Sequence, residues 1–69
     1  MANAFDGMDA VDVALLRLLE SDARMSFAKL ALQVGLTAPS VAERIRRLED
    51  RGAIQGYAAL IDPAFMGLS

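Results

Sequence analysis

Residues 35–52 read GLTAPSVAERIRRLEDRG, and they put four arginines into one short segment of a chain whose net charge is −2. The segment opens on Gly35, whose lack of a Cβ permits the left-handed backbone that ends a helix. Thr37 has the side chain of a helix N-cap, and Pro39 falls in the first turn, where its missing N–H costs little. A helix is therefore expected from Ala38 to Arg51, with Gly52 as its stop. At 100° per residue, Ser40, Arg44, Arg47 and Arg51 share one narrow face, while Val41, Ile45 and Leu48 share another about a quarter turn away. One face packs and the other looks outward. Arg46 lies off both, with Glu43, Glu49 and Asp50 at helical neighbour spacings, so it is the arginine least suited to touch a ligand.

Working upstream, Ser26 has the position of an N-cap for a helix Phe27 to Val34, with Met25 and Leu30 as a hydrophobic staple. Leu36 and Val41 are the equivalent pair for the next helix. Two helices joined by the three residues GLT make a helix-turn-helix. An earlier helix is expected from Ala10 to Glu20, capped by Asp9, with Asp12 favouring its positive end and Met8 and Val13 as a staple. Val11, Ala14, Leu15, Leu18 and Leu19 form its apolar stripe, and Asp12, Arg17 and Glu20 lie largely off it. Residues 1–8 show no periodicity and read as a flexible tail, although Phe5 is large enough to pack.

Downstream of Gly52 the period changes to two. In AIQGYAALID, Ile54, Gly56, Ala58 and Leu60 alternate with Gln55, Tyr57, Ala59 and Ile61, which is the pattern of a strand apolar on both faces. No second strand follows, so its ladder groups need a second copy or a further domain. The fold class is thus mainly α: a three-helix, winged-helix-like helix-turn-helix domain over 9–52, followed by one C-terminal β-strand linker over 53–69. Gly56 suits a bulge or a close backbone approach, and Tyr57 suits packing at the strand with its hydroxyl outward.

Composition narrows the chemistry. The 69 residues contain no cysteine and no histidine, so disulfides, thiolate sites and the usual zinc site are excluded, and no metal or cofactor is expected. A chain this short buries only about 60% of its unfolded surface. Its hydrophobic content of 55% is high for that size and suggests apolar surface meant for a partner copy. No basic start leads into an apolar stretch, and no run reaches a membrane span of about 18 residues, so a cytoplasmic location is expected. The charge is also segregated. Residues 1–22 hold Arg17 against Asp6, Asp9, Asp12, Glu20 and Asp22, whereas residues 23–52 hold six basic against three acidic side chains. A basic zone on an acidic body is compatible with DNA at modest affinity.

A surface helix carries charges in any case, and basic residues near its C-terminus complement the dipole. The turn before it shifts the balance: small side chains at the helix tip with arginines further along one face match a recognition helix in the major groove. Beyond this, the stretch from Met8 to Gly67 resembles the N-terminal DNA-binding domain of the Lrp/AsnC, or feast/famine, transcriptional regulators. The resemblance rests on DARMS at 22–26, VGLT at 34–37 and above all RRLEDRGAIQGYAALID at 46–62. It implies sequence-specific binding to double-stranded DNA as a homodimer or higher homo-oligomer, with helix 38–51 in the major groove. It also implies an amino-acid effector bound only in a C-terminal domain outside these residues.

Carried over by position, the resemblance makes Thr37, Ala38, Pro39, Ser40, Arg44, Arg47 and Arg51 candidate DNA contacts, with Ser26 and Lys29 as backbone contacts. Ile54, Tyr57, Ala59 and Ile61 become candidate dimer residues. Two of the arginines have structural competitors. A pair with Asp22 competes for Arg24, and Glu43 or Asp12 competes for Arg44. Two other readings stand beside this one: a protein-interaction module built on the apolar strand, and a fragment of an enzyme similar to the sirohaem decarboxylases. The latter rely on histidines that this chain lacks, so no catalytic residue is expected.

Overall fold

The computed structural model describes residues 7–67. Three helices follow in order, α1 at Ala10–Ser21, α2 at Phe27–Val34 and α3 at Ala38–Asp50, and a 3₁₀ turn at Pro63–Met66 comes near the end. The expected helices are present within one residue at each end, the scatter normal for fraying termini. Most of the tail expected over 1–8, Phe5 included, lies outside the described residues.

Each α-helix begins at a side-chain oxygen. Asp9 accepts from the Asp12 N–H at 2.9 Å while the Asp12 carboxylate accepts from the Asp9 N–H at 3.3 Å, a reciprocal capping box. Ser26 accepts from the Lys29 N–H at 3.1 Å, and Thr37 from the Ser40 N–H at 3.3 Å. Two of the ends turn on glycine. Gly35, at φ 73°, closes α2, and the Leu36 N–H returns to the Ala31 carbonyl at 3.0 Å. Gly52, at φ 81°, follows α3, where the Gly52 N–H donates to the Glu49 carbonyl and the Ala53 N–H to the Leu48 carbonyl. That is the paired bonding of a Schellman end.

These ends set how the apolar stripes meet. Leu15 and Leu19 of α1, Leu30 and Ala31 of α2, and Val41 and Ile45 of α3 form one buried cluster, so every helix contributes two residues to it. Val11, Leu18, Met25, Val34 and Leu36 pack around its edge, which places the partners Met25 and Leu36 of both helix-turn-helix staples against the core. Asp12 departs from its expected place off the stripe, being only 9% exposed, because a side chain from α3 covers it.

The C-terminal strand is corrected. Among the described residues no strand forms, neither the linker expected after Gly52 nor a wing. A strand exists through ladder hydrogen bonds, and a single apolar segment with no partner makes none. The alternation also fails to sort the side chains, since Leu60 and Ile61, expected on opposite faces, are both exposed. Ile54 turns inward instead. Its N–H joins that of Ala53 on the Leu48 carbonyl at 3.2 Å, and its side chain packs half-buried against the core.

A domain of this length has a total stability of roughly 3–10 kcal/mol. Leu30→Ala should remove about 2–5 kcal/mol of it, enough to leave the chain partly unfolded at 37 °C by thermal denaturation. Gly52→Ala should cost about 1 kcal/mol from backbone strain alone, because a Cβ there meets nothing within 4 Å. A loss as large as that of Leu30→Ala would mean that Gly52 also packs.

Candidate nucleic-acid interface

The tip of α3 is made of small side chains. Thr37, Pro39 and Ser40 are exposed and Ala38 is half-buried, so nothing bulky holds the backbone away from an approaching surface. The two hydroxyls are organised as a unit, with Thr37 Oγ1 donating to Ser40 Oγ at 3.0 Å in addition to capping the Ser40 N–H. Each hydroxyl oxygen retains acceptor capacity.

Behind the tip, the three arginines of one arc have three different environments. Arg47 is 71% exposed, and its Nε lies 3.3 Å from Glu43 Oε1. Arg51 is exposed at the far end, with its guanidinium beside Gly7. Arg44 turns back onto α1. Its NH1 donates to both carboxylate oxygens of Asp9, each at 2.8 Å, and to Asp12 Oδ1 at 3.1 Å, and the side chain is only 29% exposed. An open groove of about 520 Å³ runs between α3 and the start of α1, with Ser40, Arg44, Arg47, Asp9 and Asp12 among its lining.

Arg46 lies outside this arc, as its spacing implies, held by Glu43 at 2.8 Å and facing Asp50 at 3.7 Å. Glu43 therefore serves two arginines. On the flank, Ser26 commits an oxygen lone pair to capping α2, and Lys29 stands exposed one turn into that helix. The tie around Arg24 is a backbone one: its N–H, not its guanidinium, donates to Asp22 Oδ1 at 3.1 Å.

The residues expected at a dimer contact do not form one patch. Ile54 sits on the core, whereas Tyr57, Ala59 and Ile61 are exposed. The Tyr57 hydroxyl donates to Glu49 Oε2 at 2.8 Å, fastening the outgoing chain to α3. Burial and, after it, this hydrogen bond raise the pKa of the phenol. The most exposed large apolar groups are Leu32 on α2 and, beyond Gly52, Leu60, Phe65 and Met66. The last two sit on the 3₁₀ turn, which the Asp62 carboxylate caps through the Ala64 N–H. Sequence reasoning passed over them. An Asp-Pro pair followed by two large apolar residues was the available signal.

The charges are mutually supported. The Arg44 hydrogen bond holds the Asp9 carboxyl below its ordinary range, and Arg46 does the same for Glu43. Carboxylates that ionise more readily in the folded chain stabilise it fully above their unfolded pKa values near 4, and that contribution disappears as pH falls through the lowered folded values. The melting temperature should hold from pH 7 to about 5 and decline below about 4. Asp9→Asn keeps a competent cap and should decline less over the same interval; an identical acid profile would remove Asp9 from the explanation.

Residues 8–49 match the AsnC-type helix-turn-helix domain. The chain is 43% identical over 61 residues to an HTH-type transcriptional regulator of Pyrococcus horikoshii, covering 88% of this chain and 39% of that protein. It is 42% identical over 60 residues to the leucine-responsive regulatory protein of Rhizobium meliloti, covering 87% and 38%. The crystal structure of the leucine response regulatory protein LrpA of Mycobacterium tuberculosis superposes with a TM-score of 0.77 at 43% identity, over 87% of this chain and 41% of that one. The chain thus spans about two fifths of the length of the relatives it matches.

Proposed function

The chain belongs to the AsnC-type helix-turn-helix family of Lrp/AsnC transcriptional regulators, and from that premise we propose that it reads double-stranded DNA in the major groove with α3, as one half of a dimer. The observation that carries this reading is the face of α3 itself, with small exposed side chains at its tip and Arg47 projecting behind them. A recognition helix needs its N-terminal residues close to base edges and longer basic side chains within reach of phosphates. Thr37, Ala38, Pro39 and Ser40 take the first role. Arg47 and Arg51 take the second, and Arg47 is also long enough to address a guanine edge. Lys29 and Ser26 meet the sugar-phosphate chain at the start of α2.

Residues 9–52 are the DNA-binding unit in this proposal, and 53–69 are a linker whose alternating segment 53–62 becomes a strand on pairing with its copy. Leu60 and Ile61 support the pairing by standing 102% and 58% exposed in the single chain. The relatives are transcriptional regulators, and no enzymatic role is assigned. No helix among the described residues is long and apolar enough to cross a membrane, and the proposed location is the cytoplasm, on the nucleoid. Response to an amino acid, which the leucine-responsive relatives suggest, is assigned to none of these residues.

Anisotropy titrations against labelled duplexes test the reading. Affinity should fall steeply with salt, with log K losing about 0.9 per decade of salt for each phosphate engaged. Arg47→Ala should cost about 1–3 kcal/mol and relax sequence preference if that side chain reads a base. Binding insensitive to salt, and unchanged in Arg47→Ala, would remove α3 from the interface. Dimerisation is tested separately by sedimentation, where Leu60→Asp should shift the chain toward monomer; an unaltered dimer would place the contact elsewhere.

A further inference from the structure

Arg44 is the first of the three arginines of the arc, and its side chain is 29% exposed where that of Arg47 is 71% exposed. One nitrogen, NH1, makes all three of its hydrogen bonds, to Asp9 Oδ1, Asp9 Oδ2 and Asp12 Oδ1. The partners are 32 and 35 residues away in sequence, so the contact joins the middle of α3 to the first turn of α1. Asp9 and Asp12 are also the two halves of the α1 capping box, which holds both carboxylates in place before Arg44 meets them. Charge-assisted hydrogen bonds of this length are roughly twice as strong as neutral ones. Reaching a phosphate would strip Arg44 from them and leave Asp12, whose side chain is 13% exposed, as an uncompensated carboxylate facing polyanionic DNA.

We infer that Arg44 is a positioning residue, which fixes α3 against the α1 capping box and neutralises Asp9 and Asp12 beside the reading face, while Arg47 and Arg51 meet the DNA. This rests on α3 being the reading helix. Arg44 then acts on DNA through the placement of Arg47 and Ser40, whose side chains line the same groove.

The test follows the arginine Nε–Hε NMR signals of the unmutated chain during titration with a duplex, together with salt-dependent affinities of two variants. The Arg47 signal should shift and the Arg44 signal should stay. Arg44→Gln, measured at a temperature where circular dichroism shows it folded, should bind several-fold more weakly with the slope of log K on log salt unchanged. Arg47→Gln should reduce that slope by about 0.9. Because NH1 alone donates the hydrogen bonds to Asp9 and Asp12, the Arg44→Lys ammonium should restore most of the lost affinity. An Arg44 signal that moves with Arg47, or a slope reduced in Arg44→Gln, overturns the inference and makes Arg44 a contact. Unchanged affinity in folded Arg44→Gln overturns it in favour of a purely structural pair. If neither arginine signal moves while DNA binds, the reading of α3 itself falls. Should Arg44→Gln fail to fold, the signals of the unmutated chain still decide.

Discussion

A reversal within three residues governs this molecule. Gly35 takes φ 73°, the chain leaves α2 there, and Thr37 already caps α3. Because the turn contains so few torsions, the direction of α3 relative to α2 is set largely by one left-handed glycine and one side-chain cap. The rotation of α3 about its own axis is set by packing. Val41, Ile45 and Leu48 must be buried, and once they are, helical geometry leaves Ser40, Arg47 and Arg51 exposed a quarter turn round. Core and surface are therefore two readings of one helical period.

The helices were legible in the sequence because their determinants are local. Asp9, Ser26 and Thr37 act on N–H groups three residues away, and Gly35 and Gly52 act on the carbonyls just behind them. The core was legible for the same reason, since a stripe of period 3.6 needs no knowledge of its partner. The arc of arginines was readable, but not the different fate of each member. Arg44 had Asp12 as a foreseeable competitor, yet Asp9, its nearest partner, stood only as a cap, and nothing local marks a contact spanning 35 residues. The linker failed differently. Alternation in residues 54–61 is a pattern of side chains, whereas strand formation depends on a second segment that the pattern does not contain.

Charge is arranged economically around α3. Glu43 receives Arg46 at 2.8 Å and lies 3.3 Å from Arg47, so one carboxylate steadies two cations while leaving Arg47 largely in solvent. Exposed pairs of this kind contribute little to stability, typically below about 1 kcal/mol. Their effect is on direction. They bias which way a long flexible side chain points before anything binds, and so reduce the rotamer freedom lost on contact.

The end of α3 has a consequence for how such a chain can diversify. The Leu48 carbonyl receives both the Ala53 and Ile54 N–H groups, Gly52 supplies the turn, and the Ile54 side chain on the core and the Tyr57 hydroxyl on Glu49 hold the backbone to its path. Side chains beyond Tyr57 take no part in that geometry. Substitutions beyond Tyr57 therefore change the surface of the outgoing segment without touching the contacts that set its heading as it leaves the helical body.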